Sequence, residues 1–181
     1  MAGLLRRSAI VLCLVAAFSL TPEFSAQADD QPSEFQVKAA FLLNFTKFVE
    51  WPAAAFADDR SSLTICILGT DPFDGALDQI VDGEAVNGRM VAVHRIGQPP
   101  PPKTCQILFV ARPEREVPKA LRGLGPVLTV GNGENFLRDG GMVAFVINDR
   151  HVRFDINQKA AADAMLTVSS RLLNVARYVQ K

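Results

Sequence analysis

The sequence predicts an α/β fold: a single domain on a mostly parallel central sheet, with an antiparallel hairpin near its C-terminal end and helices on both faces. Three observations lead there. Five strand-length apolar runs, at residues 63–68, 90–93, 106–110, 127–130 and 142–147, are separated by segments with helical spacing or helix-capping residues. Turn signals such as Gly69, Asp71-Pro72, Asp82-Gly83 and Gly140-Gly141 punctuate those runs. A sixth run, His151 to Ile156, alternates apolar and polar residues and follows its predecessor after the tight Asn148-Asp149-Arg150 connection, as the second strand of a hairpin does.

Residues 1–28 read as a secretory signal peptide. Arg6 and Arg7 supply the positive start, Ile10 to Phe18 the short apolar run, and Ala26-Gln27-Ala28 the small-residue cleavage site, with Asp29-Asp30 after it. The run is shorter than the roughly 20 residues a bilayer requires. A retained N-terminal anchor is the alternative, and Pro22 and Glu23 argue against it by ending the run early. Cys13 lies inside the run with no lipobox leading into it. An Arg-bearing leader and an Ala-rich chain suit a Gram-negative bacterium, which places the product in the periplasm.

Cleavage leaves residues 29–181 as one domain, large enough for a real core. The leader takes Arg6, Arg7 and Glu23, so 17 of the 19 basic and 18 of the 19 acidic residues remain, for a net charge near −1. No basic stripe marks the chain for nucleic acid. No second apolar run reaches membrane-spanning length.

Ser33 and Gln36 form a capping-box pattern, so a helix is expected from Glu34 to about Val49, with Val37, Phe41, Phe45 and Phe48 on one face. Pro52 stops it, because a proline disfavours helical geometry at the residue before it. Leu63 to Leu68 is a buried strand, followed by a short helix from Phe73 to Val81 and a strand at Met90 to Val93. Pro99 to Pro102 is an extended surface connector. The strand Gln106 to Val110 leads to a helix from Pro113 to Leu121, and the strand Val127 to Val130 to a helical turn at Asn135 to Leu137. Met142 to Ile147 and His151 to Ile156 make the hairpin, the latter with Val152, Phe154 and Ile156 inward and His151, Arg153 and Asp155 outward. Asn157 caps a long last helix from Gln158 to Tyr178.

Catalytic chemistry has little to stand on. His94 ends a strand and His151 points outward from another. There is no H-x-x-x-H, no C-x-x-C and no G-x-S-x-G elbow, so no catalytic residue, metal ligand or cofactor is assigned and no enzyme is expected. Cys66 and Cys105 remain after cleavage and read as one disulfide in an oxidising compartment, with two separate buried thiols as the alternative. Gly131, Asn132 and Gly133 follow a strand and precede a helical turn, where exposed amides can bind a small anion; a plain turn is the other reading. In the last helix Met165, Leu166, Leu172 and Leu173 spread over more than one side, with Arg171 on a polar rim. That surplus marks either a partner or dimer contact or burial inside the domain.

The motifs also carry a family likeness. Lys38-Ala39-Ala40-Phe41-Leu42-Leu43-Asn44-Phe45 with Phe48-Val49-Glu50-Trp51-Pro52 comes first, then Ile65-Cys66-Ile67-Leu68-Gly69 with Asp71-Pro72-Phe73. Asn87-Gly88-Arg89, Cys105-Gln106-Ile107-Leu108-Phe109 and Val127-Leu128-Thr129-Val130 follow. Gly140-Gly141-Met142-Val143-Ala144-Phe145, Arg153-Phe154-Asp155-Ile156-Asn157 and Ser169-Ser170-Arg171-Leu172-Leu173 complete the series. In that order they resemble the YfiR family of small periplasmic proteins. The resemblance implies a repressor that binds the periplasmic domain of an inner-membrane diguanylate cyclase and holds it inactive, lowering cyclic di-GMP and biofilm formation. It implies homodimers and a redox-sensitive cysteine pair, at positions that Cys66 and Cys105 occupy. The second pair that some members carry near the hairpin is missing here. The rival expectation is a small-ligand periplasmic binding domain using the Gly131 loop at the carboxyl ends of the strands.

Overall fold

A computed structural model describes residues 32–181. The signal peptide expected over 1–28 and the domain start at residue 29 lie outside the described residues. Ser33 starts α1 (Glu34–Phe48) with the capping box its sequence calls for: Ser33 Oγ accepts the Gln36 N–H at 3.2 Å, and Gln36 Oε1 accepts the Ser33 N–H at 2.7 Å. The two-residue β1 (Val49–Glu50) follows, then Trp51-Pro52 and a 3-10 turn at Ala53–Ala55. Next come β2 (Leu63–Gly69), α2 (Ala76–Val81), and the hairpin strands β3 (Ala85–Val86) and β4 (Arg89–Ile96). After the proline connector lie β5 (Ile107–Ala111), α3 (Val117–Ala120), β6 (Leu128–Asn132) and α4 (Asn135–Arg138). The chain finishes with β7 (Val143–Asn148), β8 (His151–Asn157), α5 (Gln158–Asp163), β9 (Thr167–Val168), α6 (Ser170–Val175) and β10 (Tyr178–Gln180).

Eight strands form one sheet in the order β10-β8-β7-β6-β5-β2-β4-β3. Strands β2, β4, β5, β6 and β7 run parallel; β8 is antiparallel to β7, and β10 runs parallel to β8. The predicted fold class is the observed one. Strands β1 and β9 make a separate antiparallel pair, Val49 facing Val168. Asp149 and Arg150 take the left-handed conformation that a two-residue hairpin turn between β7 and β8 requires, with φ of 49° and 64°.

Both faces of the sheet are covered, which is why its central strands read as unbroken apolar runs. Leu63, Ile65, Ile67, Phe109, Val130, Phe145 and Phe154 face a core shared with Leu42 and Phe45 of α1 and Leu77 of α2. Phe45 meets Phe154 edge-on at 5.3 Å between ring centroids, and Phe73 meets Phe109 in the same way at 5.0 Å. Cys66, Leu68, Leu108, Val110 and Ala144 face the other way, toward Val117, Ala120, Phe136 and Leu137.

One polar side chain holds the start of the sheet together. Gln106 is 1% exposed. Its Oε1 accepts the Thr64 N–H at 2.8 Å, and its Nε2 donates to the Ala55 carbonyl at 2.7 Å. Its own carbonyl accepts the Trp51 indole N–H at 2.9 Å. The amide thus ties β2, β5 and the Trp51-Pro52 corner into one unit. Gln106→Leu strands a buried donor and a buried acceptor, and is expected to lower stability by about 2 kcal/mol in urea unfolding; a variant as stable as wild type would show that water replaces the amide.

Two expectations are corrected. The long helix from Gln158 to Tyr178 does not form as one piece. Asn157 does cap its start, Oδ1 accepting the Ala160 N–H at 2.9 Å. The helix ends at Asp163, and Met165 turns the chain at φ 62°. Thr167 and Val168, β-branched, then pair with β1, and Ser169 caps α6 by accepting the Leu172 N–H at 3.3 Å. Asp155, expected on the outward side of β8, is buried. The guanidinium of Arg177 explains this: Nε and Nη2 reach the two Asp155 carboxylate oxygens at 2.8 and 2.5 Å.

Candidate functional site at the carboxyl ends of the strands

In an open parallel sheet, ligand chemistry gathers where the strands point their carboxyl ends. Here that edge divides into two stretches. Over β2 and β4 it is closed by ion pairs. Arg95 Nε donates to Asp71 at 2.8 Å, and its Nη1 and Nη2 both reach the Asp78 carboxylate. Those hydrogen bonds hold the Asp78 carboxyl below the usual carboxylate range. With the folded pKa depressed, the contribution is present at neutral pH and is lost as pH falls through that pKa. It is small, because both side chains are largely exposed.

Over β5, β6 and β7 the edge opens into two cavities that share Asn132. One, of about 330 Å³, is lined by Arg112, Glu114, Phe136 and Asp139 among others. The Arg112 guanidinium donates to the Gly97 carbonyl and to Glu116, while its buried Nε has no partner. The other cavity, of about 490 Å³, lies between the first turn of α1 and the ends of β6 and β7, lined by Glu34, Phe35, Lys38, Glu134, Phe145 and Ile147 with Asn132. Lys38 is only 5% exposed. Its ammonium donates to Glu34 Oε1 at 2.5 Å, one turn earlier, and to Asn132 Oδ1 at 2.8 Å, and it lies over the rings of Phe35 and Phe145 at 5.6 and 5.8 Å. The sequence reading passed over Lys38. Its signal was a cation set among the apolar positions of α1, with an acid four residues earlier.

Of the Gly131, Asn132 and Gly133 trio, the structure gives each residue a different job. Gly131 is buried and makes room for a ring: a Cβ there would lie 2.3 Å from Phe136 Cδ2. Gly133 turns the chain at φ +79° and spends its N–H on the Phe145 carbonyl at 2.8 Å. Asn132 alone turns a side-chain hydrogen-bonding group toward the cavity, held there by Lys38. Of the trio's backbone amides, that of Gly133 is thus already engaged within the chain.

The five residues expected to contact a partner separate as well. Met165 is 62% exposed and Arg171 is exposed. Leu173 is half-buried against the core. Leu166 and Leu172 are core residues, each 4% exposed. The break in the expected helix is the reason: after the Met165 turn, Leu166 drops inward with its N–H on the Ala161 carbonyl at 2.9 Å, and α6 turns Leu172 into the cluster that contains α1. Cys66 and Cys105 form the disulfide, with Cα atoms 5.8 Å apart. His94 and His151 are exposed, and neither lines the two cavities. Among the described residues no cluster of His, Cys, Asp or Glu is placed to hold a metal ion, and no helix is long and apolar enough to cross a membrane.

Arg177 connects these regions. Beyond Asp155 it donates to Glu134 at 2.8 Å, and the two carboxylates stabilise its charge, raising its pKa. The residue that leads into β10 is thus bound to a wall of the Lys38 cavity.

Comparison with known proteins completes the description. A family model described as YfiR/HmsC-like matches residues 35–177. No curated protein matches the chain. Among solved structures, an ABC domain from Streptococcus pneumoniae in complex with L-Trp aligns with a TM-score of 0.45 at 12% identity, over 81% of this chain. This chain spans 60% of that one.

Proposed function

The chain belongs to the YfiR/HmsC-like family, and from that premise we propose that it is a periplasmic regulator that docks on the periplasmic domain of an inner-membrane diguanylate cyclase and represses it. It works by binding and catalyses no reaction. The supporting observation in the fold is the distribution of exposed apolar side chains. Three of the six large ones among the described residues, Met165, Val175 and Tyr178, fall in the short C-terminal segment. The exposed Arg171 accompanies them and suits an acidic partner. Docking therefore uses the solvent side of this segment, while Leu166 and Leu172 support it from beneath.

The test is made in cells carrying the cyclase. Deleting the gene is expected to raise cyclic di-GMP severalfold, and the wild-type gene to restore it. Met165→Asp with Val175→Asp is expected to leave melting unchanged yet fail to restore repression. Leu172→Asp, by contrast, is expected to unfold the domain, because it buries a charge. Cyclic di-GMP that does not respond to the deletion would refute the proposal; full repression by the folded double variant would remove the docking surface from it.

A further inference from the structure

We propose that the cavity beside Lys38 is a binding site for a small carboxylate with an apolar body. An ammonium has three N–H donors. Lys38 uses two, on Glu34 and Asn132, and the third has no protein acceptor. A cation this buried, with a donor left over, favours an acceptor delivered from outside. The same contact fixes the neighbouring amide. With Asn132 Oδ1 committed to the ammonium, Nδ2 is left as a second donor on an exposed residue that lines the cavity. Two donors, one of them charged, suit the two oxygens of a carboxylate.

The remaining wall sets the rest of the ligand. Phe35 is 40% and Ile147 54% exposed, with Phe145 and Val146 behind them. This apolar surface would cover a ring or a branched chain, and the volume of about 490 Å³ falls within the usual range for small-molecule sites. Each rim carboxylate already has its cation: Glu34 is bound by Lys38 and Glu134 by Arg177. Arg177 also serves Asp155, so the pocket has no surplus positive charge, and the anion is held by the remaining Lys38 N–H and by Asn132. It is distinct from the C-terminal docking surface, so the two proposals stand or fall separately.

The probe is 3-phenylpropionate, titrated calorimetrically into the folded domain, with 3-phenylpropionamide, propionate and phenethylamine as controls. Saturable binding of phenylpropionate is expected, about tenfold tighter than the amide, which keeps the ring and loses the charge, and than propionate, which loses the ring. Ile147→Glu places an acid on the exposed wall and is expected to abolish binding. Asn132→Ala is expected to weaken it about fivefold. Both sites are exposed, so these variants answer the question even if Lys38→Met does not fold. Absence of saturable phenylpropionate binding, binding undiminished in Ile147→Glu and Asn132→Ala, or preference for phenethylamine would overturn the proposal.

Discussion

Replacing Cys66 and Cys105 together by alanine is expected to lower the stability of the oxidised protein by about 4 kcal/mol. The bond links positions 39 residues apart in sequence. Closing a loop of that length removes chain entropy from the unfolded state, and the loop-length relation gives about that figure. The span includes α2, the β3–β4 hairpin and the proline connector, so the unfolded chain without the bond regains much freedom. Cys66 and Cys105 are 0% and 2% exposed, in the core beneath α3 and α4. Serine would add the cost of burying hydroxyl groups, so alanine isolates the bond more cleanly. For a domain of this size the melting temperature is expected to fall by about 10 °C. Reduction of the wild-type protein should give a similar shift. Melting curves within about 2 °C of each other would show that the bond contributes little.

Gly131→Ala is expected to cost about 3 kcal/mol. The Phe136 ring lies between two glycine backbones: a Cβ on Gly131 would sit 2.3 Å from the ring, and one on Gly141 2.2 Å from its other edge. Phe136 is 3% exposed and has no free space to move into. Gly131→Ala combined with Phe136→Leu is expected to recover part of the loss, because the smaller side chain relieves the contact. Asn132→Ala, one residue on, is expected to cost less, about 1 kcal/mol, through the acceptor that the buried Lys38 ammonium loses. Chemical denaturation of the four proteins separates a packing role for Gly131 from a ligand role. Wild-type stability in Gly131→Ala would remove the packing account.

Local signals were readable wherever the nearest residues decide the outcome. Ser33 with Gln36, and Asn157 with its helix, both cap as their sequences indicate, because those hydrogen bonds span three residues. The strands of the sheet were legible because burial on two faces leaves only apolar residues in them. The C-terminal segment was misread for the opposite reason. Met165 to Leu173 has helical spacing, yet Thr167-Val168 meets Glu50 and Val49, more than a hundred residues earlier, and Ser169 gains more as a cap than as a helix residue. Arg177 drew Asp155 inward by a contact that strand alternation does not register. Lys38 was hidden by its residue type, since a lysine on an amphipathic helix normally marks the wet face. Gly131 looked like part of a loop because its sequence neighbours are Asn132 and Gly133, while the ring it accommodates belongs to Phe136.

The placement of Glu134 has a mechanical consequence. One of its oxygens receives the Arg177 guanidinium, and the same side chain forms part of the rim beside Lys38. The same contact moors the entry to the final strand to the residue that precedes α4. Arg177 is thereby a rivet with two heads, one on Asp155 within the sheet and one on Glu134 at the cavity rim.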